Sequence, residues 1–263
     1  MDLALKDKVI MVAASSKGLG YGIAEAVARE GARVSLASRT TEDIQNAASS
    51  LRDQFGVDAQ GYTFDARDAD AIQRWRTSTL DHFGTIDGLV VNAGGPPAGA
   101  FDTFDDDAWT NAFHLTLLSA VRMIRAVLPT MKEQHSGSIL TVTSTSFKEP
   151  NDMLLLSNVF RSGVVSLVKT LSRDLAPHGL RINNLAPGRM DTDRVRSLDQ
   201  MAADRHGISV EQQQSAQQQA LPMGRYGTIQ EFGSAGAFLL SAAARYITGT
   251  TLIVDGGKTR TVW

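Results

Sequence analysis

The sequence predicts one α/β domain, a doubly wound parallel sheet of about seven strands with helices on both faces. Three observations predict it. Short, β-branched apolar runs alternate with helical patterns from end to end. A glycine-rich turn separates the first such run from the first helical segment. No linker, repeat or charge block divides the 263 residues, and that length suits a single large α/β domain spanning 1–263.

Residues 9–14 are the first strand, and 18–30 follow with helical spacing at Ile23, Ala24, Val27 and Ala28. A strand over 33–37, a helix over 42–55, a weak strand over 59–64 and a helix over 69–83 repeat the unit. Residues 86–91 form a strong strand between Gly84 and Asn92. The segment 105–131 is helical, with Pro129 near its end, and 138–142 is a strand. A long helix over 154–175, a strand over 181–185, a helix over 231–243 and a strand over 251–254 complete the pattern. Helical connections of this length between strands imply right-handed crossovers. Residues 193–222 break the alternation and are rich in glutamine. They read as a solvated helix face or as a lid over a pocket.

Hydrophobic residues make up 43% of the chain, enough for a sizeable core. The net charge of −2 argues against nucleic-acid and membrane-surface binding, which need concentrated positive charge. The chain has no cysteine, so disulfides, thiolate nucleophiles and Cys-ligated zinc are excluded, and no metal site is expected. Asp2, Lys6, Asp7 and Lys8 interrupt the start, which has no signal-peptide core. No later stretch looks long and apolar enough to span a bilayer. A cytoplasmic protein is expected.

The first strand runs into Ser15-Ser16-Lys17-Gly18-Leu19-Gly20 and then a helix. A glycine turn at a helix N-terminus presents backbone N–H groups and a positive dipole end, both suited to a pyrophosphate. A G-x-G-x-x-G frame fails, since Ile23 stands where its third glycine belongs. The second strand ends Ala37-Ser38-Arg39 without the acid that binds a ribose diol. Arg39, with Lys17, suits a 2′-phosphate instead. Asp65, with Ala66 after it, closes the third strand and is placed to meet an adenine amino group. Asn92-Ala93-Gly94 follows the fourth strand, at the carboxyl edge where open α/β sheets bind ligands. Gly95-Pro96-Pro97-Ala98-Gly99 is a stiff loop on the same edge, either a plain turn or a pocket wall.

These motifs, with Pro187-Gly188…Thr192, Leu221-Pro222-Met223-Gly224-Arg225 and Val254-Asp255-Gly256-Gly257, resemble the short-chain dehydrogenase/reductase family of Rossmann-type proteins. The resemblance is nearest to the 3-oxoacyl-acyl-carrier-protein reductase group and runs from about Lys8 to Gly257. It implies NADP(H) held along Ala14, Ser16–Gly20, Ser38–Arg39, Asp65–Ala66 and Asn92–Gly94, with Pro187, Gly188 and Thr192 on the nicotinamide side. It also implies a small-molecule carbonyl or alcohol substrate and a homo-oligomer, dimer or tetramer, paired through the helices at 105–131 and 154–175. The chain departs at Ala13-Ala14, where the family carries Thr-Gly.

Family members use an Asn, a Ser, a Tyr and a Lys in proton transfer. The Ser falls on Ser144, thirteen residues before the Tyr position. The Tyr position is Ser157, the Lys position Arg161, and the Asn position is assigned to His114. A serine hydroxyl is a far weaker acid than a phenol near pKa 10; Arg161 stays protonated, so at the position where the family's Lys binds the nicotinamide ribose it can hold the cofactor but cannot relay a proton. Residues 157 and 161 still share a helix face. His114, Lys148 (a loop lysine that otherwise pairs with Glu149) and a water held by Ser144 and Ser157 are the candidate proton donors. Two functions follow: an NADP(H)-dependent oxidoreductase with an altered proton path, or a nucleotide-binding sensor or regulator on the same scaffold.

Overall fold

The computed structural model describes residues 2–262. The strands are β1 (Val9–Ala13), β2 (Arg33–Ser38), β3 (Ala59–Thr63), β4 (Gly88–Val91), β5 (Gly137–Val142), β6 (Leu180–Pro187) and β7 (Thr251–Val254). They form one sheet in the order β3-β2-β1-β4-β5-β6-β7, and every neighbouring pair is parallel. The chain order reverses between β1 and β4, so a crevice opens beyond their carboxyl ends. The helices are α1 (Gly18–Arg29), α2 (Thr41–Phe55), α3 (Ala69–Phe83), α4 (Asp106–Phe113), α5 (Ser119–Glu133), α6 (Leu155–Leu175), α7 (Asp193–His206), α8 (Val210–Gln219) and α9 (Ile229–Leu240).

Alternation along the strands makes two cores. Ile10 and Val12 join Ile23, Val27, Leu51 and Phe232 on the face covered by α1, α2 and α9. Met11 and Ala13 join Trp75, Met123, Val127 and Val168 on the face covered by α3, α5 and α6. Each large side chain buried there stabilises the fold by about 1.5–3 kcal/mol. Helices α1 and α9 touch backbone to backbone, and a β-carbon on Gly233 would run into the Gly22 carbonyl. That contact fixes α1, and with it the glycine turn, against the rest of the domain.

Four expectations are corrected. Strand β4 starts at Gly88 rather than at residue 86, because pairing begins with Gly88 opposite Ile10 and the Asp87 carboxylate accepts from Val9 N and Lys8 Nζ. Helix α9 starts at Ile229: the Thr228 and Glu231 side chains form a reciprocal capping box, so Glu231 is the third helical residue and not the first. Residues 193–222, where the alternation breaks, form α7 and α8, the second opened by the Ser209–Gln212 capping box. The segment 105–131 is not one regular helix. A π-helical turn over His114–Leu118 joins α4 to α5, and Pro129 lies inside α5. The continuous rod Asp106–Glu133 is long and apolar enough to cross a bilayer by length and composition, contrary to the expectation. Here its buried residues Met123, Ile124 and Val127 serve the core.

Candidate functional site

The site grows from the carboxyl ends of β1, β4, β5 and β6. After β1 the chain turns sharply at Ala14, whose φ of 49° lies in the left-handed region. The buried Ser15 hydroxyl fixes that turn, donating to the Val12 carbonyl at 2.7 Å and accepting from Ala37 N at 3.2 Å. Across the crevice, Asn92 Nδ2 donates to the Ala14 carbonyl at 3.3 Å. The turn therefore has its shape although alanine replaces the more permissive residue. Ser16 and Lys17 carry the chain to α1, Leu19 packs on the core, and a β-carbon at Gly20 would strike the Ala14 carbonyl. At Gly94 nothing lies within 4 Å of an added β-carbon, and at Gly18 only Thr192, 3.9 Å away. Both positions have open space beside their backbone, which suits the close approach of a pyrophosphate.

The cations expected around the adenosine end divide. Arg39 is exposed and makes no ion pair among the described residues, while the Ser38 hydroxyl donates to the Thr40 carbonyl at 3.5 Å. Lys17 is engaged elsewhere: its ammonium meets Asp193 Oδ2 at 2.6 Å, at the first residue of α7. Both side chains are more than half exposed, so the pair is worth little and can open. Asp65 is paired with Arg67, which binds both its oxygens at 3.1 and 2.7 Å. Those hydrogen bonds hold its carboxyl below the usual range. Ala66 is buried behind it.

At the other end, Gly188 N donates to the Val254 carbonyl at 2.9 Å, fixing the Pro187-Gly188 corner beside β7. Thr192 caps α7, its hydroxyl accepting from Val195 N at 3.3 Å. Ser144 follows β5; its Oγ accepts from Ser146 N at 3.2 Å, leaving its own proton to donate. Ser157 and Arg161 share a face of α6, as their spacing predicts. Arg161 Nε donates to Ser157 Oγ at 3.1 Å, and Nη1 donates to the Val142 carbonyl at 2.8 Å. The guanidinium thus ties α6 to the end of β5, two residues before Ser144. Burial and the charge of Arg194 push Arg161 down to about 10, still far above neutrality, so it stays a cation.

Beneath Arg161 lies a small cavity lined by Asn92, Ala93, Thr116, Ser119 and Val142. Thr116 is buried in the π-helical turn, and its Oγ1 has no partner among the described residues. No phenol reaches this centre. Of the four tyrosines, Tyr21 packs on the α1 side, Tyr62 donates to the Ser78 carbonyl, Tyr226 donates to Asp199, and Tyr246 is fully exposed.

A sequence profile of the family described as Enoyl-(Acyl carrier protein) reductase matches residues 13–259. The 3-oxoacyl-acyl-carrier-protein reductase FabG of Salmonella typhimurium is 32% identical over 255 residues, covering 97% of this chain and 98% of that one. The chain belongs to the short-chain dehydrogenase/reductase family. Among solved structures, the L-sorbose reductase of Gluconobacter frateurii complexed with NADPH and L-sorbose superposes with a TM-score of 0.95 at 27% identity, over 100% of both chains. An NAD+-bound xylitol dehydrogenase superposes with a TM-score of 0.91 at 26% identity, over 97% of this chain and 100% of that one.

Within this short-chain dehydrogenase/reductase frame two site readings change. His114 does not line the cavity; Thr116 does. Both residues belong to the π-helical turn, His114 at its start and Thr116 in its middle. The buried hydroxyl two residues on is the inward group. Lys148 does not pair with Glu149, whose Oε1 accepts instead from Arg260 N at 2.7 Å, so the C-terminal tail braces this loop. Sequence reasoning also missed Arg194. Its Nη2 donates to the Pro96 carbonyl at 2.8 Å, and its guanidinium lies across Gly95. The lid reading of 193–222 carried the only signal for it. One further cluster anchors that region: Asp199, fully buried, accepts from Arg189 and, at 2.8 Å, from the Tyr226 hydroxyl. It pins α7 to the loop after β6.

Proposed function

We propose that this chain is an NADP(H)-dependent oxidoreductase that reduces an activated carbonyl, with Ser144 and Ser157 as hydrogen-bond donors and Arg161 as the fixed charge behind them. The Arg161–Ser157 hydrogen bond carries this reading. Because Ser157 Oγ accepts from Arg161 Nε, its own proton is free to point into the crevice. A guanidinium at that distance favours negative charge developing on or beside the hydroxyl oxygen, in a partly desolvated place where such charge stabilisation is strongest. Ser144 supplies a second donor from the end of β5.

The glycine turn, the open faces of Gly18 and Gly94, and Pro187, Gly188 and Thr192 would hold the dinucleotide, and Arg39 would take its 2′-phosphate. The bound cofactor supplies hydride. Without a phenol the two serines polarise the carbonyl but are poor proton sources, so the product oxyanion takes its proton from water. General acid catalysis is worth about 10²–10⁴ in rate, and its loss restricts the reaction to substrates already electron-poor at the carbonyl. Solved relatives that hold NADPH or NAD+ support nucleotide binding, and the missing acid after β2 favours the phosphorylated form.

A second reading keeps the cofactor and drops the reaction: a sensor or regulatory protein. The lack of any tyrosine at the centre favours it. Fluorescence titration with NADPH, followed by stopped-flow oxidation against 1,2- and 1,3-dicarbonyls, separates the two. NADPH binding with turnover supports the oxidoreductase. Binding without turnover, and turnover created by Ser157→Tyr with Arg161→Lys, supports the sensor. A folded chain that binds neither coenzyme overturns both.

A further inference from the structure

The region around the reaction centre carries two positive charges that no carboxylate among the described residues pairs with. Arg161 is committed to Ser157 and the Val142 carbonyl, and Arg194 to the Pro96 carbonyl. All three partners are neutral. Most N–H donors of both guanidiniums remain uncommitted. Among the described residues neither arginine has a carboxylate partner, whereas Arg67, Arg189, Arg196 and Arg225 are each paired with one. The acids nearest in sequence to Arg194 are already used, Asp193 by Lys17 and Arg196, and Asp191 by Arg196. Burial pushes both guanidiniums down, and the charge of Arg194 adds to the shift of Arg161 by repulsion. Arg161 is desolvated while Arg194 sits at the exposed rim, and an anion between two such like charges offsets their repulsion.

Both guanidiniums border the segment 92–96, Arg161 through the cavity it shares with Asn92 and Ala93 and Arg194 through Gly95 and the Pro96 carbonyl. Arg161 sits on α6 above the cavity lined by Asn92, Ala93 and Thr116. Arg194 comes from the first turn of α7, which the buried Arg189–Asp199–Tyr226 cluster holds down, and crosses the loop that continues Asn92-Ala93-Gly94. Thr116 Oγ1, buried and unpartnered, faces the same cavity. We propose that Arg161 and Arg194 form an anion clamp that takes a carboxylate or phosphate group of the substrate, so that the carbonyl being reduced belongs to an anionic molecule. This rests on the oxidoreductase reading and names its substrate class. An oxo-acid fits such a clamp, since two guanidiniums tell an anionic ketone from a neutral one by its charge.

The same chemistry has a second source, the cofactor's own pyrophosphate, and the test separates them. Binding of acetoacetate, its neutral methyl ester and inorganic phosphate is measured by calorimetry on protein saturated with NADPH and on free protein. Acetoacetate and phosphate are expected to bind the NADPH complex in competition with each other, and the ester at least tenfold more weakly. Arg194→Gln, at the exposed rim where folding is not at risk, should weaken both anions tenfold or more while changing the NADPH Kd less than about threefold. Arg161→Lys, which keeps a charge, should weaken acetoacetate less than Arg161→Gln does. If Arg194→Gln instead weakens NADPH tenfold and the anions bind only free protein, the clamp serves the pyrophosphate and the substrate assignment is overturned. If neither anion binds either form, the clamp itself is overturned. Should NADPH fail to bind while the anions bind free protein, the oxidoreductase reading fails and the clamp stands.

Discussion

Replacing Ala14 by glycine tests whether the cofactor turn has the shape described. Ala14 is held at a φ of 49° between the end of β1 and the glycine turn. A left-handed conformation costs an L-residue about 1–2 kcal/mol, and glycine escapes that cost. Glycine also gives the unfolded chain more freedom, which takes back about 0.5–1 kcal/mol. Nothing else should change, since the turn is pinned through the Ala14 carbonyl by Asn92 Nδ2 and through the Ser15 hydroxyl. Ala14→Gly is therefore expected to stabilise the chain by about 0.5–1 kcal/mol. The assay is urea unfolding followed by far-UV circular dichroism, with an unchanged m-value. Ala13→Gly, one residue earlier inside the fully buried β1, is the control and should destabilise, because glycine weakens a strand interior. If Ala14→Gly lowers stability as much as the control does, Ala14 is not left-handed and the turn has been misdescribed.

Other substitutions test the rest of the structure. Arg39→Ala should weaken NADPH by about tenfold or more and leave NADH unchanged in fluorescence titration; equal losses would remove the 2′-phosphate contact. Gly233→Ala should cost about 2–3 kcal/mol in urea unfolding, since its new β-carbon meets the Gly22 carbonyl across the α1–α9 contact. Burial and the hydrogen bond to Asp199 push the Tyr226 phenol up to about 12. Its contribution is complete below the unfolded pKa near 10 and is lost as pH rises through about 12, because the unfolded chain releases that proton first. Tyr226→Phe should therefore flatten stability between about pH 10 and 12, and an unchanged alkaline slope would remove the cluster from the account of α7.

The fold was legible because alternation and helical spacing are local signals, strong in β1, β4 and α6, and the glycine turn marks where the sheet winds. Asn92, Ser144, Ser157 and Arg161 were legible because their neighbours fix the alignment, and the i, i+4 spacing brought the last two together as expected. Other features depended on events with no sequence mark. The cavity lining takes Thr116 and not His114 from the π-helical turn, and regular helical periodicity cannot register such a turn. Lys17 was judged by its place beside the turn, yet its partner Asp193 is distant in sequence. Asp65 looked free until Arg67, two residues on, folded back onto it. Arg194 was hidden in a stretch whose glutamines drew attention to solvent, while its role comes from a backbone carbonyl far away at Pro96.

The Arg161 fork onto Ser157 has a kinetic consequence. Two alcohols and a permanently charged group leave nothing there that gains or loses a proton between about pH 5 and 9. Turnover by such a centre should show no bell or shoulder across that interval, its acidity response set by the substrate's own ionisation. Catalysts that rely on a tuned phenol fade as their medium sours; this one would keep an even pace.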